Sequence, residues 1–402
     1  GRIEYRMKVI ENGVCAAIGF KAGSIHCGIR KNQTKDDLAL IVSDVICQTA
    51  AVYTKNKVKA APILVTKKHL INGMSQAIIV NSGNANACNP KEIENAQLEA
   101  QCAADYLKLD VENVLVASTG VIGQVLPVEK IQEKVNDIDL SALNNLSVAK
   151  AIMTTDTKEK SVAVEFKMGN TICHMGGICK GSGMIHPNMG TMLAFITTDC
   201  KVEQNVLQSC LLKNTNTTFN RVSVDGDTST NDMCIVMANG MAQNEVFDEA
   251  VFDQALHFVM EELAKKIAAD GEGAGKLMTV TVNGADTLEN AETLAMSVCS
   301  SSLVKAAMFG ADANWGRVIC ALGYSGVEFD PELVDISFKS NDEILCCESG
   351  KGLDFDEEKA KDILSQDKIE IICEMHSGNE SCTCWGCDLT YDYVKINGDY
   401  RT

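Results

Sequence analysis

Short apolar runs bounded by glycine or small polar residues recur along the chain and read as strands, while longer stretches with apolar residues every third or fourth position read as helices. In the first half, IEYRMKVI, GVCAAIGFKAG and GSIHCGIR predict early strands, and DLALIVSDV and QTAAVYTKN predict two more. QAIIVNSG, residues 76–83, is continuously apolar until it meets the polar turn SGNANACNP. A helix follows from Lys91 to Leu109, where Ile93, Ala96, Leu98, Ala100, Ala103, Ala104 and Leu107 recur at near-helical spacing. NVLVASTGVIG, residues 113–123, is a second buried strand, and residues 160–181 alternate on both sides of Gly169-Asn170 as a hairpin does. Met192 to Ile196 continue as strand, a helix is expected from about Val202 to Leu212, and an amphipathic helix from Asp248 to Ala269 carries Phe252, Leu256, Val259, Leu263 and Ile267 on one face. The last third predicts a helix from Leu288 to Phe309, strands VDISFK and DEILCCES, helix DEEKAKDILSQ, and strands KIEIICEMHSG and CDLTYDYVKI. Strand pairs in runs, separated by long helices, favour an α/β fold of sheets packed between helices over a doubly wound parallel sheet.

Composition narrows the classes of partner. A net charge of −18 with no long run of Lys or Arg argues against nucleic acid, whose phosphates need clustered cations. No apolar stretch reaches the length of about 18 residues that a membrane helix requires, and GRIEYR, ahead of Met7, has no apolar core of a signal peptide. The 18 cysteines are spread from Cys15 to Cys387, which fits a reduced cytosolic protein using Cys as a small hydrophobe. Cys373, Cys382, Cys384 and Cys387 with His376 are the one candidate metal set, but CxCxxC lacks the paired spacing of zinc ribbons, and no metal is expected.

The candidate chemistry centres on KGSGMIHPNMGTMLAFITTD, residues 180–199, a glycine-rich loop running into an apolar strand with the break between Gly190 and Thr191. A hydroxyl residue heading a buried strand after a tight loop is what a self-cleaving N-terminal nucleophile needs. Thr191 Oγ1 attacks the Gly190 carbonyl, the ester hydrolyses, and the freed α-amine, titrating near pH ~7.7–8.0, becomes the base for its own hydroxyl. Thr119 and Gly120, where an apolar strand opens into a glycine turn, are candidate oxyanion donors. DGEGAGK resembles a phosphate loop but fails as one. Asp270 stands where the first glycine of that motif belongs and Leu277 where the Ser or Thr belongs, and the loop follows a helix instead of a strand.

Several separated stretches resemble a single family: IIVNSGNANAC, VLVASTGVIG, IMTTDT, GGICKGSGMIHPNMGTMLAFITTD, FNRVSVDGDTSTND, DGEGAGK, SSLVKAAMFGADANWGRVICALGYSG and GCDLTYDYVKINGDYRT. The chain resembles the glutamate N-acetyltransferases, also called ornithine acetyltransferases. The resemblance implies a layered α/β fold of N-terminal-nucleophile type and self-cleavage into residues 1–190 and 191–402, which stay together, usually as α2β2. It also implies transfer of acetyl from N2-acetylornithine to glutamate in cyclic arginine biosynthesis, with no cofactor and with acetyl-CoA as an additional donor in some members. Carried over by position, Thr191 is the nucleophile, Thr119 and Gly120 the oxyanion pair, and Lys180, Glu272, Asn397, Thr402 and, from IMTTDT, Thr154 in preference to Thr155 are substrate contacts. Gly190 departs from the alanine usual before the nucleophile. Two other functions use the same features: an N-terminal-threonine aminopeptidase or amidase, with water as acceptor, and an uncleaved binding protein.

Overall fold

The computed structural model describes residues 7–181, 192–224, 229 and 231–399. In chain order its elements begin with β1 (Met7–Ile10), β2 (Phe20–Ile25), β3 (Leu38–Tyr53), α1 (Ala61–His69), β4 (Met74–Asn84), α2 (Glu92–Leu107) and β5 (Val114–Val121). There follow α3 (Val128–Lys134), α4 (Asn145–Ala151), β6 (Lys160–Met168), β7 (Thr171–Lys180), β8 (Leu193–Thr198), α5 (Gln204–Thr217), β9 (Val222–Ser223), β10 (Met233–Ala238) and α6 (Glu249–Ala269). The last part holds β11 (Leu277–Ala285), α7 (Leu288–Cys299), α8 (Ser302–Phe309), α9 (Trp315–Gly323), β12 (Asp335–Lys339), β13 (Glu343–Glu348) and β14 (Lys351–Gly352). It closes with α10 (Glu357–Leu364), β15 (Lys368–Glu374), β16 (Glu380–Cys387) and α11 (Tyr391–Asp399).

The first sheet runs β1-β6-β7-β8-β10-β3-β4-β5, with β2 also on β3, and mixes parallel pairs (β8 with β10, β4 with β5) with antiparallel ones. It folds over on itself. The register of β3 against β4 slips between Val42 and Cys47, so the first part of β3 pairs with β2 and the last part with β10. A bulge of this kind bends a strand and increases its twist. The two halves then face each other across one core, where Ile41, Ile78, Val80, Leu115 and Ala117 meet Ile178, Leu193, Phe195, Met233 and Ile235. Alternation along the strands sends the intervening residues outward. Ala194, Ile196, Cys234 and Val236 pack on Leu207 and Leu211 of α5 and on Phe252, Leu256, Val259 and Leu263 of α6. Ala77, Ile79, Val114 and Val116 pack on Ala61 and Val65 of α1, Ala96, Ala100 and Ala103 of α2 and Ile131 of α3. The result is helix, sheet, sheet, helix, the layered α/β class expected.

A second sheet, β14-β13-β12-β15-β11-β16-β9, packs against α7 to α10. The expected pieces 1–190 and 191–402 are not separate lobes of this fold: β8 lies between β7 and β10, so residues from both sides of that junction share one sheet.

Several expectations are corrected. CDLTYDYVKI is not a strand; β16 ends at Cys387 and Tyr391–Asp399 is helical. The alternation of this stretch is undone by Thr390, whose hydroxyl donates to the Gly273 carbonyl and accepts from the Tyr393 N–H at 3.4 Å, as an N-cap does. The helix expected over Leu288–Phe309 is two, because Ser301 interrupts it and its hydroxyl caps the Val304 N–H. Gly13–Cys15 forms a 3-10 turn and the strand starts only at Phe20, while GSIHCGIR leaves the sheet after Ile25. DLALIVSDV and QTAAVYTKN form one continuous strand, and helices α1, α3, α4 and α9 fall outside the elements expected.

Candidate active site

Gly190, Thr191 and Thr402 lie outside the described residues. Their chain neighbours locate the region. Lys180, the last residue of β7, pairs with Leu193 at the start of β8. Met192 is held just ahead of it: its N–H donates to Asp232 Oδ1 at 2.8 Å, and its carbonyl accepts from the Met233 N–H.

Lys180 is the hub. It is buried at the end of its strand, and its ammonium group donates to Thr154 Oγ1 at 3.0 Å and to Thr119 Oγ1 at 3.3 Å, with Asp156 Oδ1 at 3.9 Å. Thr119 reaches it from β5, in the facing half of the sheet. The next residue, Gly120, has φ +137°, and a Cβ there would stand 2.4 Å from the Asn84 nitrogen and the Gly83 carbonyl carbon of β4, so only glycine fits. The loop ahead of β10 straps this end of the sheet, since Asn231 Nδ2 donates to the Ala85 carbonyl at 2.6 Å and the Ser118 carbonyl at 2.9 Å.

Asp156 organises the cations. Its Oδ2 accepts from Lys160 Nζ at 2.6 Å and from the Gly181 N–H at 2.9 Å, and its Oδ1 accepts from the Thr154 N–H at 3.2 Å. Lys160 also reaches Asp270 Oδ2 at 2.7 Å, and Asp270 in turn accepts from the Thr157 N–H at 2.9 Å. Burial alone would push the Asp156 carboxyl up; Lys180, Lys160 and the Gly181 N–H outweigh it and bring it down to about 2. Burial lowers Lys180 and Lys160 lowers it further, against the opposing pull of Asp156, Asp232 and Glu272. Lys160 moves the other way despite sharing Asp156, because it sits directly on two carboxylates while Lys180 is 3.9 Å from one. Asp232 is pushed well above the usual carboxylate range by burial, and its Oδ2 has no hydrogen-bond partner among the described residues.

The structure therefore brings Thr119, Gly120, Thr154 and Lys180 together, and Glu272 is buried close enough for its charge to act on Lys180. Glu272 sits in the loop after α6, which α11 covers: a Cβ on Gly273 would stand 2.4 Å from the Tyr393 nitrogen. Asn397 is not brought to Lys180 by any hydrogen bond; it is exposed on α11 and its amide donates to the Tyr393 carbonyl at 2.9 Å. Asp156, Lys160, Asp232 and Asp270 were missed by sequence reasoning. Each lies inside or beside a stretch singled out there; Asp156 and Lys160 are four positions apart, but their further partners and those of Asp232 and Asp270 stand 24 to 113 positions away, where no local spacing signals a pair.

All eighteen cysteines are free thiols, and most, including Cys373, Cys382, Cys384 and Cys387, are packed in the apolar cores. Among the described residues no group of three or more His, Cys, Asp or Glu is arranged to hold a metal ion, and no helix is long and apolar enough to cross a membrane.

Fold and site together define a layered α/β enzyme whose polar machinery is gathered, largely dry, where two halves of a folded sheet meet. The family model that matches residues 21–402 is that of the ArgJ family, and the chain belongs to it. The arginine biosynthesis bifunctional protein ArgJ 1 of Clostridium acetobutylicum is 49% identical over 393 residues, 95% of this chain and 96% of that protein. The arginine biosynthesis bifunctional protein ArgJ of Caldanaerobacter subterraneus is 47% identical over 405 residues, 98% of this chain and all of that protein. Among solved structures, the ArgJ protein of Bacillus halodurans is 48% identical with a TM-score of 0.49, covering 51% of this chain and 98% of that one. The ornithine acetyltransferase of Mycobacterium tuberculosis, solved in complex with ornithine, is 33% identical with a TM-score of 0.42, covering 45% of this chain and 98% of that one.

Proposed function

We propose that this chain is an acetyltransferase of arginine biosynthesis that moves an acetyl group from N2-acetylornithine to glutamate through an acetyl-threonine ester on Thr191, with acetyl-CoA as a second donor. Cleavage between Gly190 and Thr191 releases the α-amine that acts as base. Thr191 Oγ1 attacks the acetyl carbonyl, the Thr119 hydroxyl and Gly120 N–H hold the tetrahedral oxyanion, ornithine leaves with the proton, and the glutamate amine takes the acetyl group in the second half-reaction. Glu272, an acidic side chain buried beside the site, suits an ornithine ammonium; Lys180, Thr154, Asn397 and Thr402 complete the proposed substrate contacts. The α and β pieces are proposed to remain assembled as α2β2 in the cytoplasm, which the interleaving of β7, β8 and β10 supports for the two pieces of one chain.

The observation that carries this reading is the convergence of Thr119 on Lys180 at the strand end next to Met192, within a chain of the ArgJ family. Intact-mass analysis of wild type and Thr191→Ala tests it: wild type should give two fragments and the variant one full-length chain. Purified wild type should transfer acetyl from N2-acetylornithine to glutamate. A folded wild type that stays uncut, or that releases acetate to water without acetylating glutamate, overturns the reading.

A further inference from the structure

Lys180 has three N–H groups and no acceptor. Among the described residues two of them donate to Thr154 Oγ1 at 3.0 Å and Thr119 Oγ1 at 3.3 Å, and Asp156 Oδ1 stands at ion-pair distance, 3.9 Å, so most of the ammonium group is already engaged by the protein. A lysine spent in this way is poorly placed to grip a substrate carboxylate. The consequence for Thr119 is specific. Its oxygen accepts from Lys180, so its own proton must point elsewhere, and no acceptor among the described residues takes it. Thr119 and Lys180 are both buried, where an N⁺–H···O contact is little screened by solvent and polarises the hydroxyl it meets.

We infer that Lys180 is a positioning residue for the oxyanion hole, oriented by Asp156, that turns the Thr119 hydroxyl proton toward the developing oxyanion and strengthens it as a donor. This rests on the acetyl-transfer reading above but assigns Lys180 a different task from substrate contact. Asp156 sets the geometry: one oxygen holds the Gly181 N–H, immediately after Lys180, and the other holds the Thr154 N–H, whose side chain is the second acceptor for Lys180. Lys160, anchored on Asp270, keeps Asp156 in place from the far side.

The test is a double-mutant cycle on acetyl transfer with Lys180→Met and Thr119→Ala, reading kcat and KM for acetylornithine and glutamate separately. Each single variant should lower kcat by about 10²-fold with KM little changed, as removal of one oxyanion donor does. Lys180→Met in the Thr119→Ala background should cost less than about threefold more, because its effect passes through a hydroxyl that is gone. Losses that multiply, or a Lys180→Met effect expressed in KM for both amino acids, overturn the inference and return Lys180 to the substrate. If Lys180→Met is not cleaved, the cycle is run with Asp156→Asn, which retains an oxygen for the Gly181 N–H. If both fold but neither matures, the inference is wrong as stated and the lysine belongs to the cleavage step. Absence of transfer in wild type sinks the proposed function itself, whereas an active wild type with an additive cycle sinks only the role of Lys180.

Discussion

Asp156 and Glu99 are both buried carboxylic acids, and they have opposite fates. Burial pushes each of them up. Around Asp156 two ammonium groups and a backbone N–H reverse that push, and the acid stays ionised far below its usual range. Glu99, on the same helix α2 as Ala96, Ala100 and Ala103, has no hydrogen-bond partner for either oxygen among the described residues, and burial pushes it well above the usual range. A buried charge is tolerable where other buried groups answer it, and such a set is a device that loses its function when one member is removed. A buried acid without partners is a cost to the fold and reveals no comparable device.

The comparison can be broken most severely at Asp156. Asp156→Leu leaves Lys180 and Lys160 in a dry site with a shared counter-charge gone, and should destabilise the protein by about 3–5 kcal/mol in urea unfolding. A loss under about 1 kcal/mol would mean that Asp232 and Glu272 replace it. Glu99→Leu should act in the opposite direction, raising stability by about 1–3 kcal/mol as an unpartnered polar group leaves the core. Destabilisation there would expose a partner for Glu99. Acid titration separates the two sites next. The folded value of Asp156, about 2, lies below its ordinary 3.8. Its contribution is therefore complete above pH ~3.8 and is lost as pH falls through ~2, an effect of about 2 kcal/mol that Asp156→Asn removes. Glu99 has the reverse sign. Its folded value is raised above the ordinary 4.5, so the unfolded chain releases this proton first and stability declines as pH rises past 4.5. Glu99→Gln should flatten that decline in denaturation curves taken between mildly acid and neutral pH; an unchanged slope would show that Glu99 is ionised in the fold.

Much of the architecture was legible in the chain. The α6 helix was readable because Phe252, Leu256, Val259, Leu263 and Ile267 repeat at its period, and β6–β7 because alternation breaks at Gly169-Asn170. The site was legible in part. Gly120 advertises itself at the end of an apolar run, and its positive φ and contact with β4 justify that residue. Asp156 gives no such sign, and the tail misled, since the same letters alternate for a strand until Thr390 starts a helix. Glu99 stands three positions after Ala96 and four before Ala103, on the apolar face of α2, but its residue type ordinarily reaches water, so the spacing alone does not announce a buried acid.

What the amino-acid sequence determined alone is what rests on neighbours: helix faces, strand alternation, the glycine at position 120, and colinear motifs specific enough to identify the family. These follow from sterics and from hydrophobic spacing over a few residues. Only the tertiary structure decided that Lys180 donates to Thr119 and Thr154, that Asp156 stands between two lysines, and that Glu99 meets no hydrogen-bond partner among the described residues. The contact of Lys180 with Thr119 depends on the register slip that folds β3 and sets one half of its sheet against the other, bringing residues 61 positions apart within hydrogen-bond reach. A hydrogen bond is decided by tenths of an ångström at its two ends, and the spacing of letters along the chain does not carry that distance.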